Sequence, residues 1–251
     1  MKAQLLPFFI KNPLKLLSLQ PFVFKQFSVH QDQATMKVGT DAVLLGAWAS
    51  IKNATTILDI GTGTGVISLM LAQRNEKATI TAIEIEEKAY QQALFNFQNS
   101  KWASRFTMEH ISFEDFQPTH SFDCIISNPP FFDNHHFSTN HKRTLARHTS
   151  SLSYECLIKK SARLLTKLGL LHVIIPFQSE EHFIQLAQKE NLFPTTILRV
   201  RGRHHTPLKR SLLTFSFTTT STQTNELVIE KSRHDYTVDY IDLTKDFYLK
   251  M

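Results

Sequence analysis

The stretch Thr56-Ile57-Leu58-Asp59-Ile60-Gly61-Thr62-Gly63-Thr64-Gly65 decides the fold, because an apolar run ends there in three alternating glycines. The run is rich in β-branched residues and predicts a buried parallel strand. Residues 66–73, mostly apolar, follow as a predicted helix. Glycines permit positive φ and let a ligand approach the backbone, while the helix N-terminus offers free N–H groups to an anion. The stretch predicts a strand–turn–helix unit of an α/β sheet, with a ligand at the turn.

The glycine spacing argues modestly against a nicotinamide dinucleotide as that ligand. A dinucleotide fingerprint is Gly-x-Gly-x-x-Gly/Ala, whereas position 66 is Val and the third glycine comes one residue early. Asp59, the last charged residue before the turn, is a poor neighbour for a pyrophosphate. It is a good neighbour for a cationic or amine-bearing ligand.

Two further strand ends carry polar residues that suit a nucleoside. Residues 78–85 predict a second strand that ends at Glu84, about twenty residues after the glycine turn, where a carboxylate can accept from both ribose hydroxyls. Glu84 alone also fits a solvated charge at a strand end. A third strand is predicted near residues 106–111, and the turn that follows, residues 112–115, lies where an adenine would reach.

A second motif follows the apolar run 122–126: Ser127-Asn128-Pro129-Pro130-Phe131. Two prolines stop a strand, since neither has an N–H for the ladder. At this end of an α/β sheet ligands bind. The Asn128 carboxamide oxygen and a carbonyl of the turn can accept both hydrogens of an exocyclic amino group, while the aromatic ring stacks on the heterocycle. The alternative is a strand-ending turn with a core Phe.

Composition limits the class of protein. The chain has 251 residues, 42% of them hydrophobic and 20% charged, which is typical of a globular domain. The net charge of +6 and the pI of about 9.3 favour a polyanionic partner. Two cysteines give no disulfide framework and no metal cluster. No apolar stretch reaches the length of a membrane span, and we identify no signal peptide, so we expect a cytoplasmic protein without bound metal.

The remaining sequence divides into an N-terminal arm, residues 1–33, and a single domain, residues 34–251. Within the arm, residues 22–27 alternate and predict a short strand pair. Residues 133–151 are rich in His and Arg, and we predict a basic loop that contacts nucleic-acid phosphates rather than zinc. The later pattern predicts a helix 154–168 capped by Gly169, then a strand 170–177, a helix 180–190, an antiparallel pair 196–205 and 211–217, a late strand 227–230 and a helix 242–249.

Together, residues 59–65, Glu84 and residues 128–131 resemble class I, S-adenosylmethionine (SAM)-dependent methyltransferases that methylate amino groups. The resemblance extends to the bacterial tRNA1(Val) adenine-N6 methyltransferases, and covers nearly everything from Phe22 onward. The matching residues are Phe27, 36–41, 44–48, Arg143, Ala146, Arg147 and 236–249. The resemblance implies a Rossmann-like, seven-stranded, mostly parallel sheet with helices on both faces and an antiparallel last strand.

The same resemblance implies methyl transfer from SAM to N6 of an adenine in the anticodon loop of tRNA(Val), by an enzyme that we expect to be monomeric. The implied catalytic residues are Asn128, Pro129, Pro130 and Phe131. The implied cofactor-binding residues are Lys37, Gly39, Thr40, Asp59, Gly61, Gly63, Gly65, Glu84, Ile85, Ser112, Phe113 and Asn128. Residues expected to bind RNA phosphates are Arg143, Arg147, Arg201, Arg203 and Lys209.

This chain departs from the family pattern at two positions. Ser112 stands where relatives often carry an Asp that faces the cofactor's adenine, and Phe131 stands where close relatives commonly have Tyr. Phe in this turn also occurs in guanine-N2 methyltransferases of ribosomal RNA. That activity, DNA adenine methylation and glutamine-N5 methylation of a protein therefore remain alternatives. An NAD oxidoreductase and a non-catalytic RNA-binding module are less favoured.

Overall fold

The computed structural model describes residues 20–33, 37–130 and 152–250. Its strands are β1 (Phe22–Val23), β2 (Ser28–Val29), β3 (Thr56–Ile60), β4 (Thr79–Glu84), β5 (Phe106–His110), β6 (Phe122–Ser127), β7 (Leu165–Pro176), β8 (Phe193–Arg201), β9 (Arg210–Ser216), β10 (Gln223–Val228), β11 (Glu230–Ser232) and β12 (Asp235–Tyr236). Its α-helices are α1 (Thr40–Trp48), α2 (Val66–Arg74), α3 (Glu87–Gln98), α4 (Tyr154–Leu164), α5 (Glu180–Lys189) and α6 (Val238–Thr244).

One eight-stranded sheet organises the described residues, in the order β10-β8-β9-β7-β6-β3-β4-β5. All its strands are parallel except β9, which inserts antiparallel between β7 and β8. This confirms the predicted mostly parallel α/β sheet. The predicted number of seven strands was wrong by one. The antiparallel strand β9 is also not the last strand of the sheet, because β10 follows it in the chain. The late strand predicted at residues 227–230 falls on the last two residues of β10 and the first of β11. The first part of β10, residues 223–226, is polar and exposed, so no apolar pattern marks it.

Helices cover both faces of the sheet, as predicted. One apolar cluster joins α1, α2 and α3 to the sheet through Leu45, Met70 and Phe97. The other joins α4 and α5 to the opposite face through Leu157 and Phe183. The two layers bury the central strands from both sides, which is why those strands are continuous apolar runs.

The region around Gly169 corrects the sequence interpretation. Helix α4 ends at Leu164, and Gly169 lies within β7 rather than capping a helix. A Cβ at Gly169 would lie 2.9 Å from the carbonyl oxygen of Phe122 on β6. The glycine is therefore required because two strands approach closely, at the point where the β6–β7 register shifts.

The predicted N-terminal strand pair is confirmed as the antiparallel β1–β2 hairpin. Phe24 and Phe27 are buried against the first apolar cluster, and the His30 amide donates to Asn96 Oδ1 on α3 at 2.9 Å. The late helix begins earlier than predicted, at Val238. Within the described residues no helix has the length and apolar character needed to cross a membrane.

Candidate functional site

Strand register brings the two predicted motifs together. Strands β3 and β6 are parallel neighbours in which Ile60 pairs with Ser127, and the Ser127 hydroxyl donates to the Ile60 carbonyl at 3.0 Å. Gly61 and Asn128 therefore leave the sheet side by side at its carboxyl edge. The motif residues, 67 positions apart in sequence, meet because both strands end at the same level.

The glycine turn is held by the next strand. The Gly61 and Thr62 amides donate to the Ile83 carbonyl at 3.0 and 3.1 Å. The Gly63 amide donates to Glu84 Oε2 at 2.9 Å, and the other carboxylate oxygen accepts from the Ile85 and Glu86 amides. A carboxylate has about four acceptor positions. Glu84 is thus fixed in orientation by three amides and keeps an acceptor position free.

A cleft of about 530 Å³ lies over these strand ends. Its lining residues come from the ends of β3, β4, β5 and β6, from the first turn of α3 and from the segment before α4. They are Ile60, Gly61, Gly63, Ile83, Glu84, Ile85, Glu86, Ala89, Ile111, Ser112, Phe113, Glu114, Ser127, Asn128, Pro129, Pro130 and Leu152. The cleft is mainly apolar with a few polar groups, as ligand sites usually are.

The shape and charge of the cleft limit what it can hold. Gly61 and Gly63 have φ of +69° and +59°, and a Cβ at either would meet nothing within 4 Å, so the turn presents bare backbone to open space. Three glutamates line the cleft, and among the described lining residues there is no Lys, Arg or His. This lining suits a ligand with positive charge and hydroxyl or amino donors, and it disfavours a polyphosphate.

Asp59 lies beneath the glycine turn and is fully buried. Its Oδ2 accepts hydrogen bonds from the Thr62 and Ser68 hydroxyls, both at 2.7 Å, whereas its Oδ1 has no partner among the described residues. Burial raises the pKa of Asp59 to about 6, and the nearby Glu84 charge adds to the increase, while the two hydroxyl donors oppose it. The carboxylate does not line the cleft itself; it holds the turn from below.

Besides Asp59, four other predicted cofactor residues lie outside the cleft. Gly39 and Thr40 line a separate cleft of about 560 Å³ with Tyr236 and Tyr248. Lys37 is exposed and lines neither cleft. Gly65 precedes α2 and contacts Phe97. Their contact with a cofactor stays a prediction.

The turn after β5 meets the cleft through Ser112, Phe113 and Glu114. The Ser112 hydroxyl is engaged within its own turn, because it donates to Asp115 Oδ2 at 2.7 Å and accepts from the Asp115 amide at 3.0 Å. Ile85, another lining residue, is apolar and 54% exposed. Ile85 and Phe113 together offer apolar surface on which a planar ring can lie.

The predicted RNA-binding residues divide into two groups. Arg201 donates to Glu226 Oε2 at 2.8 Å, and Arg203 forms an ion pair with Glu230 at 3.1 Å. Lys209 is exposed just before β9. The other predicted residues, Arg143, Arg147 and Phe131, and the basic loop 133–151, lie outside the described residues.

Comparison with known proteins decides the family. Residues 33–189 match the family model of the methyltransferase small domain. The tRNA1(Val) (adenine(37)-N6)-methyltransferase of Christiangramia forsetii is 47% identical over 240 residues, covering 94% of this chain and all of that protein. That of Flavobacterium psychrophilum is 48% identical over 233 residues, covering 92% of this chain and all of that protein. The chain belongs to this methyltransferase family.

Solved structures agree with the family's fold. A predicted O-methyltransferase from Agrobacterium tumefaciens superposes with a TM-score of 0.64 at 20% identity, covering 82% of this chain and 96% of that one. The ribosomal protein L11 methylase of Lactobacillus delbrueckii subsp. bulgaricus gives a TM-score of 0.55 at 15% identity, covering 75% and 83%. At such identities the likeness concerns the fold alone.

Several lining residues of this methyltransferase cleft were not predicted from sequence. Ile60, Ile83 and Ile111 each directly precede a predicted residue at a strand end, so that adjacency was the available signal. No signal in the sequence pointed to Leu152, because it reaches the cleft from a segment distant in sequence. Among the described residues no group of three or more His, Cys, Asp or Glu side chains could hold a metal ion.

Proposed function

We propose that this chain transfers the methyl group of SAM to N6 of an adenine in the anticodon loop of tRNA(Val), the adenine at position 37 that its relatives' name specifies. Membership of the family makes the chain a SAM-dependent methyltransferase. The observation that supports the site assignment is the Ile60–Ser127 register, because it brings Asn128, the proposed acceptor for an amino group, beside the glycine turn.

The residues of the cleft fit SAM. Bound SAM supplies an electrophilic methyl on a positively charged sulfonium, and three glutamates line the cleft that would hold it. Glu84 is oriented by three amides and keeps one acceptor position free, which can accept from a ribose hydroxyl. Ile85 and Phe113 provide the apolar walls for the adenine of the cofactor.

Asn128 and Pro129 orient the nucleophile. The lone pair of an adenine amino group is delocalised into the ring, so the nitrogen is a weak nucleophile. When the Asn128 side-chain oxygen and the Pro129 carbonyl accept its two hydrogens, the lone pair is directed at the methyl group. Fixed acceptors also stabilise the positive charge that develops on the nitrogen, and no residue needs to remove a proton first.

The target base must leave its stack to reach this cleft. Extrusion costs a few kcal/mol, less in a loop whose bases are already splayed. Stacking on an aromatic side chain offsets roughly 1–3 kcal/mol of that cost. The motif predicts Phe131 for this role. Pro130, the last residue of the turn that lines the cleft, immediately precedes it.

The test of this site is Asn128→Ala. We expect kcat for methyl transfer to fall by about 10²–10³-fold, because one fixed polar contact to the reacting group is lost. The Kd for SAM, measured by calorimetry, should change by less than about twofold, since Glu84 and the glycine turn remain intact. Asn225→Ala, at an exposed position of the edge strand β10, is the matched control. Single-turnover transfer at the wild-type rate in Asn128→Ala would refute the assignment.

The substrate is tested with purified enzyme and labelled SAM. We expect N6-methyladenosine in a tRNA(Val) transcript and none in a transcript whose adenine 37 is replaced by guanine, as read by nucleoside mass spectrometry. Methylation of a ribosomal RNA guanine or of a release-factor glutamine, with tRNA left unmodified, would instead support one of the alternative amino-methyltransferases.

A further inference from the structure

A basic surface lies on the same edge of the sheet as the cleft. Because β6, β7, β8 and β10 are parallel, their carboxyl ends all reach this edge, and antiparallel β9 begins there. Beyond β8 lies the turn 202–209, and beyond β10 lies the hairpin of β11 and β12. The Ile229 and Glu230 amides donate to the Arg201 and Gly202 carbonyls at 3.1 and 2.9 Å, so turn and hairpin are joined through backbone.

Two arginines of this surface already have acidic partners. The Arg201 guanidinium contacts Glu226 on β10, and it also donates to the His204 and Thr206 carbonyls of the turn. Arg203 donates to Glu230 through Nε and Nη2. These contacts fix the turn against the hairpin, and they leave each arginine paired with one carboxylate. Their main effect is therefore to position the surface.

Three other cations of the same surface are exposed: Lys209, Lys231 and Arg233. Within the described part of the chain none of the three has an acidic partner at ion-pair distance. Asp235 is the remaining exposed acid of the hairpin. The surface thus keeps a positive excess, whereas the cleft on the same edge is lined by three glutamates and suits a cation.

The distance between the cleft and the basic surface is short enough for one RNA ligand to contact both. Neighbouring strands lie about 4.8 Å apart, so the ends of β8 and β10 are roughly 14 and 19 Å from the end of β6, which carries Asn128. This distance corresponds to several nucleotides. A polyanion whose base enters the cleft can therefore reach the turn and the hairpin with phosphates a few nucleotides away.

We propose that Lys209, Lys231 and Arg233 bind phosphates of the tRNA whose adenine enters the cleft, which rests on the proposed function. Such contacts fix orientation and supply affinity without reading sequence. The basic surface anchors the RNA backbone, and the acidic cleft holds the cofactor and the base. The separation also keeps the phosphates away from the glutamates.

The test is the double variant K231A/R233A, with K52A/K77A as control. Lys52 and Lys77 are exposed and lie at the opposite edge of the sheet, just before β3 and β4, so the two variants lose equal charge. We expect K231A/R233A to weaken tRNA binding about tenfold and to reduce the slope of log Kd against log salt by roughly 1.5, since each lost phosphate contact removes about 0.7–0.9. SAM affinity and kcat at saturating tRNA should remain unchanged.

Two results would overturn the inference: equal tRNA affinity and salt slope in K231A/R233A and wild type, or an equal loss in K52A/K77A. Either result in an enzyme that still methylates tRNA would remove only this surface. If wild-type enzyme methylates no tRNA, the proposed function fails instead. A fall in kcat at saturating tRNA with unchanged Kd would also contradict anchoring, because anchoring alone affects binding.

Discussion

Asp59 is a buried charge that supports the glycine turn, and this burial makes stability depend on pH. The pKa of Asp59 is raised to about 6 in the fold, first by burial, against a usual 3.8. The folded state therefore binds the proton more tightly, so stability falls as pH rises from about 4 to about 6. A shift of this size corresponds to roughly 3 kcal/mol. In urea denaturation, the free energy of unfolding of Asp59→Asn should not fall over this pH range. The stability of the variant relative to wild type should therefore increase as the pH rises.

Asp123 provides a control of opposite sign. Its burial alone would raise its pKa, but hydrogen bonds from Thr55, Thr56 and Thr166 hold the pKa below its usual range. Its ionised form therefore contributes stability above the unfolded pKa, which is lost as pH falls through the folded one. Asp123→Asn should therefore have a lower free energy of unfolding than wild type at neutral pH, and the difference should shrink in acid. For Asp59, a difference in free energy of unfolding between Asp59→Asn and wild type that stays constant from pH 4 to 7 would contradict the raised pKa.

Single residues of the site were predictable where the chemistry is local to a strand end. Gly61, Gly63, Glu84 and Asn128 all line the cleft, since each lies at the end of a strand whose apolar pattern is clear, or within three residues after it. The engagement of Ser112 with Asp115 was not predictable, because a hydroxyl has several partners within reach. Pairing across strands distant in sequence was equally hidden, as for Arg201 and Glu226.

At the scale of elements, the junction between the glycine turn and α2 depends on Gly65. Its φ is +82°, and an added Cβ would lie 2.5 Å from the Phe97 ring of α3, which stacks on Phe106 at 4.2 Å. We expect Gly65→Ala to lower the free energy of unfolding by about 2–4 kcal/mol, through left-handed strain and overpacking. Urea denaturation of the variant and of wild type measures this loss of stability. Gly202→Ala, whose Cβ would meet nothing closer than 3.7 Å, is the control, and equal stability of both variants would disprove the steric argument.

Elements were predicted well where apolar periodicity is strong and poorly where it is absent or ambiguous. Helix α2 and strands β3 and β6 match the pattern nearly residue for residue. Residues 165–168 read as the end of a helix, yet they begin β7, because pairing with β6 determines their structure. The late strand predicted at residues 227–230 matches only the last two residues of β10. Residues 223–226 escaped prediction because they are polar and exposed, and the ladder to β8 determines their structure.

At the scale of the whole molecule, the sheet order separates an acidic cleft from a basic surface along one edge. The strands β5, β4, β3 and β6 carry the acidic cleft at one end, and β8 and β10 carry the basic surface at the other. The class of fold followed from the strand–turn–helix repeat and from the family resemblance. The placement of the basic surface could not be predicted, because it depends on β9 inserting between β7 and β8 and on the added strand β10.

Cofactor binding should therefore stabilise the entire fold through its central strands. At about 100 times its Kd, SAM should add roughly 2.7 kcal/mol to the free energy of unfolding, read as a rise in Tm. The rise should persist in Asn128→Ala, because the role proposed for that residue is to bind the substrate amine. It should largely disappear in Glu84→Gln, because a carboxamide places an NH2 against the Gly63 amide or loses its contacts to Ile85 and Glu86. NAD should give no rise, since the cleft lining opposes a pyrophosphate. A rise with NAD equal to that with SAM would contradict the charge argument at the scale of the whole protein.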